Sequence, residues 1–291
     1  MFESIVKKHW IHYLLIFVGV FCISWSAILV KLAEVSGLAS AFYRMFFGTL
    51  GIIPIWLYYR KPITSKKGVL YAVLCGVLFA SDIALWNTSI LLSKASVSTL
   101  LANLAPVWVG LGALMFMKEK PTRLFWVGTF IAITGVAIIV GINDIAELSL
   151  TTGNLLAITA SVFYGAYLIT VRKGRAGLDT FSFTAISMVS STVTMGLICF
   201  VSDTQLTDYQ THSWVYLILL GLVPQVVGWL AINQALGHIK PTVASVSLLS
   251  QSVFTAIFAY PILHETLTMG EISGAALVLV GIYLVNKKTG N

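Results

Sequence analysis

Ten stretches of about 20 mostly apolar residues decide what this chain can fold into. They run over residues 11–30, 38–58, 68–90, 95–116, 122–141, 153–172, 178–201, 213–236, 241–262 and 270–286. A helix of about 20 residues is what the hydrocarbon core of a bilayer requires. The connections are mostly under a dozen residues, too short for a soluble domain. Composition agrees, with 58% hydrophobic and 10% charged residues and a mean hydropathy of +0.91, where soluble domains carry roughly 25% charge. The expected fold is an all-α polytopic membrane protein. The run 11–30 is too long for a signal-peptide core and no small-x-small cleavage site follows it, so it reads as the first membrane helix.

The net charge of +7 and pI near 9.3 raise nucleic acid as a partner. The positions of the charges argue for topology signals instead. With the N-terminus cytoplasmic, the inside segments hold Lys7, Lys8, Arg60, Lys61, Lys66, Lys67, Lys118, Lys120, Arg123, Arg172, Lys173, Arg175, Lys240, Lys287 and Lys288, and the outside segments only Lys31 and Lys94. Fifteen against two is a decisive bias under the positive-inside rule. Both termini are therefore expected in the cytoplasm, with the chain integral to the cytoplasmic (inner) membrane. Cys22, Cys75 and Cys199 all lie in apolar runs, and three unspaced cysteines make neither a disulfide framework nor a metal site.

A displaced copy of the sequence refines this picture. An offset of 146 pairs Asn87 with Asn233, Lys94 with Lys240, Val97 with Val243, Val107 with Val253 and Ala113 with Ala259. It also pairs Glu119 with Glu265, Thr122 with Thr268, Gly128 with Gly274 and Gly135 with Gly281, giving nine identities in 54 pairs. Repeats of this kind govern architecture, and this one divides the chain into residues 1–146 and 147–291. Five spans per half, an odd number, make the second half enter the membrane upside down. The turn Lys118-Glu119-Lys120-Pro121 is then cytoplasmic, and its counterpart His264-Glu265-Thr266-Leu267, which lacks the lysines, external. Inverted repeats are typical of secondary transporters that bind substrate near the midplane between the halves.

Ten spans, two inverted halves and a Glu-x-x-Thr turn before a Gly-x6-Gly last helix resemble the drug/metabolite transporter superfamily, EamA-type. Ala105-Pro106-Val107, Glu119 and Gly128/Gly135 match the family pattern in the first half, and Phe42-Tyr43-Arg44-Met45 matches its second-helix Arg. The second half departs from the pattern, because Ser252 stands where Pro106 stands, so no Pro-induced distortion is expected there. The resemblance implies a central cavity surrounded by spans 1, 3, 4, 6, 8 and 9, and an exporting role.

Intramembrane charge is the sharpest pointer to a site, because a charge at the bilayer centre costs about 2.5–3.5 kcal/mol on insertion scales and must face the interior. Only Arg44 and Asp82 lie well inside spans. Their depths are roughly 9 and 12 Å from the outer ends of spans 2 and 3, so they can pair if those helices are neighbours. They are either a fixed ion pair that ties the two spans together or a coupling site, with Asp82 titrating or Arg44 meeting an anionic substrate group. Asp82 and Trp86 share a face at i, i+4 with Asn87 beside it, and Gln225 and Trp229 share one in the other half with Asn233 a turn on. Asn103 lies one turn before Val107, Ser247 and Gln251 share a face of span 9, and Tyr164 and Tyr167 one of span 6. Ser24 and Trp25 occupy span 1, and Pro106 is the expected helix hinge. Interhelical packing can satisfy many such polar groups, but their concentration in the cavity-facing spans makes them the candidate lining. Trp25, Trp108 and Trp229 lie deep, whereas Trp10, Trp56, Trp126 and Trp214 sit at span ends as interfacial anchors. Gly128, Ala132 and Gly135, and Gly274 with Gly281, are small faces for close helix approach.

No G-x-x-x-x-G-K-[ST] is present, so ATP is not the local fuel, and no H-E-x-x-H or G-x-S-x-G supports an enzyme. Neither a cofactor nor a metal is implied. The expected function is secondary active transport of small metabolites, amino acids or related amphipathic compounds first, by alternating access and with protons or a counter-substrate as coupling partner. A drug exporter, or an uncoupled facilitator or channel, is the alternative.

Overall fold

The computed structural model describes residues 2–59, 61–92, 95–116, 120–140, 151–262 and 268–287. Among these, ten helical stretches are long and apolar enough to cross a membrane: α1 (Trp10–Ala33), α2 (Gly37–Tyr59), α3 (Lys66–Ser89), α4 (Ser98–Phe116), α5 (Arg123–Val140), α6 (Thr152–Arg175), α7 (Thr180–Val201), α8 (Thr211–Leu236), α9 (Pro241–Ile262) and α10 (Met269–Asn286). Each matches an expected span with ends shifted by three residues at most. Lys94, Lys118, Glu119, His264 and Glu265 lie outside the described residues.

The most extensive helix pairings are α3 on α6 and α5 on α10. Helix α7 lies against α2 and α3, α8 against α1 and α2, α4 against α6, and α9 against α1. Exchanging each helix for the one five places along turns α3–α6 into α8–α1, α3–α7 into α8–α2 and α4–α6 into α9–α1, so the two halves pack by one pattern. At the crossing of α5 and α10 the small faces meet backbone to backbone. A Cβ placed on Gly281 would lie 2.4 Å from the carbonyl oxygen of Gly128, and one on Gly135 would lie 2.5 Å from that of Gly274. Only glycine permits that approach.

Four spans are interrupted. In α1 the helices Phe2–Ile23 and Ser26–Ala33 are separated by Ser24 and Trp25. The Ser24 hydroxyl donates to Val20 O at 2.7 Å, and the Ser24 carbonyl accepts from Thr255 Oγ1 of α9 at 2.9 Å. In α4, Ala95–Ala102 gives way to Ala105–Phe116, with Pro106 in the first turn of the new segment, where its missing N–H leaves no helical bond unmade. In α8 the segment Gly221–Gly228 around Pro224 is wound as a π-helix.

In α9, Pro241–Leu248 and Ser250–Ile262 are separated at Leu249, the position that the 146-residue offset pairs with Asn103. No proline is needed there. Hydroxyls of Ser245, Ser247 and Ser250 donate to the carbonyls of Thr242, Val243 and Ser247 at 3.0, 2.9 and 2.7 Å, and such back-bonding competes with the helical ladder. The interruption is therefore not a Pro-induced one: back-bonding serines accompany the break in α9 where Pro106 accompanies the break in α4.

Candidate functional site

Four helices, two from each half, bring polar and aromatic side chains together near the middle of the bundle: Arg44 from α2, Phe79 and Asp82 from α3, Tyr164 and Tyr167 from α6, and Gln225 and Trp229 from α8. Helical spacing of three or four residues puts each pair on one face. Gln225 lies within the π segment, a winding that recurs at functional sites because it re-aims side chains relative to the regular helix.

The rings form one continuous cluster. Phe79 lies with its centroid 5.0 Å from that of Tyr167 and 4.8 Å from that of Trp229, the latter pair edge to face. Trp229 is also edge-on to Tyr167 at 5.2 Å and to Tyr164 at 6.2 Å. Such geometries match the quadrupoles of aromatic rings. Trp229 is only 4% exposed, yet its indole Nε1 donates to nothing, and the same holds for the buried Nε1 of Trp86 one face-turn beyond Asp82.

Arg44 reaches over this cluster. Its Nε donates to Gln225 Oε1 at 2.8 Å, and its guanidinium stands 5.9 Å from the Phe79 ring centroid, within cation–π range. The approach of α2 to α8 is set by Gly48, where a Cβ would come within 2.6 Å of Gln225 Cγ. Arg44, Asp82 and Tyr164 interact electrostatically, but Arg44 and Asp82 do not meet in a contact ion pair among the described residues. The expected α2–α3 tie is therefore not the one formed. Phe79 fills the space under the guanidinium, one turn from Asp82, and the hydrogen bond goes to α8. Asp82 remains half-buried, with its oxygens uncommitted to any described side chain.

Beneath the rings the site is fixed. Tyr167 donates its hydroxyl to Asn233 Oδ1 at 3.1 Å, and Asn233 Nδ2 donates to Thr184 Oγ1 at 3.3 Å. Arg175 Nε then donates to Asn233 O at 3.2 Å and its NH2 to Gln234 Oε1 at 3.1 Å, where Thr180 also donates. The ends of α6 and α8 and the start of α7 are latched by this network.

Of the thirteen residues expected to line a substrate site, Asp82, Tyr164, Tyr167, Gln225 and Trp229 come together with Arg44, while Asn233 holds Tyr167 from below. The others are not joined to the cluster by a hydrogen bond or ring contact. Ser24 serves the α1 break, and Trp25 stacks on Phe258 of α9 at 4.8 Å. Asn87 donates to Gly37 O at 2.6 Å and closes the start of α2, while Asn103 and Ser247 bond to carbonyls four residues back, Thr99 O and Val243 O. Gln251 is half-buried on α9. The deep Trp108 donates to Ser161 Oγ at 2.7 Å and ties α4 to α6. Phe79 in the cluster, and Thr180, Thr184, Gln234 and the site role of Arg175 in the network beneath it, escaped the sequence reading. Phe79 was findable, since it precedes Asp82 by three residues and the 146-residue offset pairs it with Gln225.

No nucleophile–base pair exists in this cluster. What it offers is a guanidinium and a carboxyl group that make no direct contact with each other, beside an aromatic wall that includes the unused indole donor of Trp229.

Known proteins resemble the chain at both levels. An uncharacterized transporter of Archaeoglobus fulgidus is 23% identical over 271 residues, covering 91% of this chain and 93% of that protein. A protein of Streptantibioticus cattleyicolor named a probable terminal-alkyne amino-acid exporter is 24% identical over 195 residues, 67% of this chain and 65% of its own. A solved crystal structure superposes with a TM-score of 0.81 over 96% of this chain and 99% of its own, at 14% identity, which speaks to the fold. The sequence profile of the EamA-like transporter family matches twice, over residues 10–141 and 151–287, and the chain belongs to that family.

Proposed function

We propose that the protein is a secondary active exporter of amino acids or closely related zwitterionic metabolites, working by alternating access between two inverted five-helix halves, residues 1–146 and 147–291. The observation that carries this reading is the uncommitted pair Arg44 and Asp82 set against the ring cluster of Phe79, Tyr164, Tyr167 and Trp229. Arg44 keeps the outer edge of its guanidinium fork free after Nε has bonded Gln225, and that edge matches a carboxylate. Asp82 receives the ammonium group, and the rings receive the side chain. The name of the Streptantibioticus cattleyicolor relative, a probable terminal-alkyne amino-acid exporter, supports the same substrate class. The positive-inside bias of the loops supports cytoplasmic termini in the inner membrane.

Coupling follows from the same residues. Asp82 binds either an ammonium group or a proton, so substrate binding and protonation exclude each other, and release of one accompanied by uptake of the other makes a substrate/proton exchange. Purified protein in liposomes with an imposed pH gradient tests this by uphill movement of labelled amino acids. Asp82→Asn is expected to abolish gradient-driven accumulation while the protein still folds and purifies. Arg44→Gln is expected to raise the KM for zwitterions far more than for the corresponding amines. Movement that only ever runs downhill would make the protein a facilitator, and unaltered pH-driven transport in Asp82→Asn would remove Asp82 from the coupling.

A further inference from the structure

A second recess lies away from the central cluster, on the outer surface of the bundle. Its volume is about 540 Å³, and it is walled by Ile53 and Trp56 of α2, Val73 and Val77 of α3, and Val189 and Val193 of α7. Helix α7 packs on both α2 and α3 and forms the floor of the seam between them. The lining is almost wholly apolar, and two of its three polar side chains are in use, with the Thr194 hydroxyl the third. Trp56 Nε1 donates to Ser182 Oγ at 3.0 Å, and Ser190 Oγ donates to Val73 O at 2.8 Å. Beyond the single Thr194 hydroxyl at one end of the lining the walls offer only apolar surface, so the inserted part is hydrocarbon.

Length and charge narrow the occupant. Along α7 the lining runs from Ala185 to Thr194, about 14 Å at the helical rise, which is close to half of a roughly 30 Å hydrocarbon core. The recess is therefore about as long as one leaflet is thick. On α3, Lys66 precedes Val73 by seven residues and Val77 by eleven, so all three project from one helical face, with the lysine roughly 10 Å above the recess at the membrane surface. Lys66, Lys67 and Lys61 are all exposed at that mouth. Tyr59 at the end of α2 stacks on Phe181 at the start of α7, with centroids 5.1 Å apart, as interfacial aromatics do. Asp179, the nearby acid, is occupied in capping Phe181 and Ser182 N–H groups.

We propose that this recess is a binding site for an anionic diacyl phospholipid of the adjoining leaflet, with one acyl chain in the seam and the headgroup phosphate on Lys61, Lys66 and Lys67. This site is separate from the central cluster and does not depend on what the protein transports. Trp56 is its reporter. In detergent-purified protein, phosphatidylglycerol with brominated chains should quench a component of tryptophan fluorescence that is missing in Trp56→Phe. Phosphatidylcholine with the same chains should need a higher concentration for the same effect, by about fivefold for each lysine that contributes. That preference should vanish in the Lys61→Gln/Lys66→Gln/Lys67→Gln variant, and Val193→Phe, which fills the seam, should abolish the Trp56 component for both lipids. Equal quenching by the two lipids, an unchanged quenched component in Trp56→Phe, or full quenching in Val193→Phe would each overturn the proposal. The lysines lie outside the seam and Val193 inside it, so failure of one variant to fold leaves the other arm decisive.

Discussion

An indole N–H buried without an acceptor forfeits about 1–3 kcal/mol, and Trp229 carries one at the centre of the bundle. Trp108 of α4 offers a control, because its Nε1 is bonded to Ser161. Trp→Phe at either position removes a similar volume, but only at 108 does it break a hydrogen bond. Trp108→Phe is therefore expected to lower the melting temperature more than Trp229→Phe, while only Trp229→Phe raises the KM for transport. Thermal unfolding and initial-rate measurements on the two variants check this. Gln225 is exposed to a similar test. Gln225→Leu leaves Arg44 Nε buried without a partner and should destabilise by about 1–3 kcal/mol, whereas Gln225→Glu keeps an acceptor and should not. The types of residue in the cluster were legible from depth and spacing: an Arg and an Asp inside spans, and Tyr164 with Tyr167 and Gln225 with Trp229 on shared faces. Their partners were not legible. Arg44 bonds across to α8 rather than α3 because the π winding around Pro224 and the missing Cβ at Gly48 bring Gln225 to it, and neither effect shows in a periodicity count.

At the scale of elements, the spans and the small faces of α5 and α10 could be read directly, because membrane thickness fixes helix length and close backbone approach requires glycine. Gly281→Ala is expected to reduce stability by about 1–3 kcal/mol, the usual range for overpacking, since its Cβ would meet the Gly128 carbonyl. Transport KM should stay unchanged, because neither helix contributes to the central cluster. Denaturation and transport assays on the same preparation separate the two effects. The interruptions were only partly legible. Pro106 marks the one in α4, but the break at Leu249 arises from hydroxyls that bond backward, and Ser24 does the same in α1. Serines in an apolar run look like packing residues until the carbonyls they occupy are known. Asn87 and Asn103 misled for a related reason: a polar side chain inside a span is satisfied as readily by a carbonyl of a neighbouring turn as by a solute.

For the whole molecule, the packing pattern common to both halves coexists with a cluster that is not symmetric. Phe79 and Gln225 correspond under the 146-residue offset, yet one is a ring under a guanidinium and the other its hydrogen-bond partner. The latch of Arg175, Gln234, Asn233 and Thr180 joins α6, α7 and α8 at one membrane face. Gln234→Ala should weaken closure there and increase the reactivity of a cysteine placed at Thr184, read by thiol labelling from that side. The unused groups at the centre have a kinetic consequence. When the site holds neither substrate nor proton, closing it would strip water from Asp82 and the free edge of Arg44 while giving them nothing in return. A loaded site closes with those groups engaged. Under the proposed alternating access, return of the carrier with substrate bound is then expected to be faster than return without it, and labelled substrate should leave liposomes faster into a medium that already contains unlabelled substrate than into plain buffer.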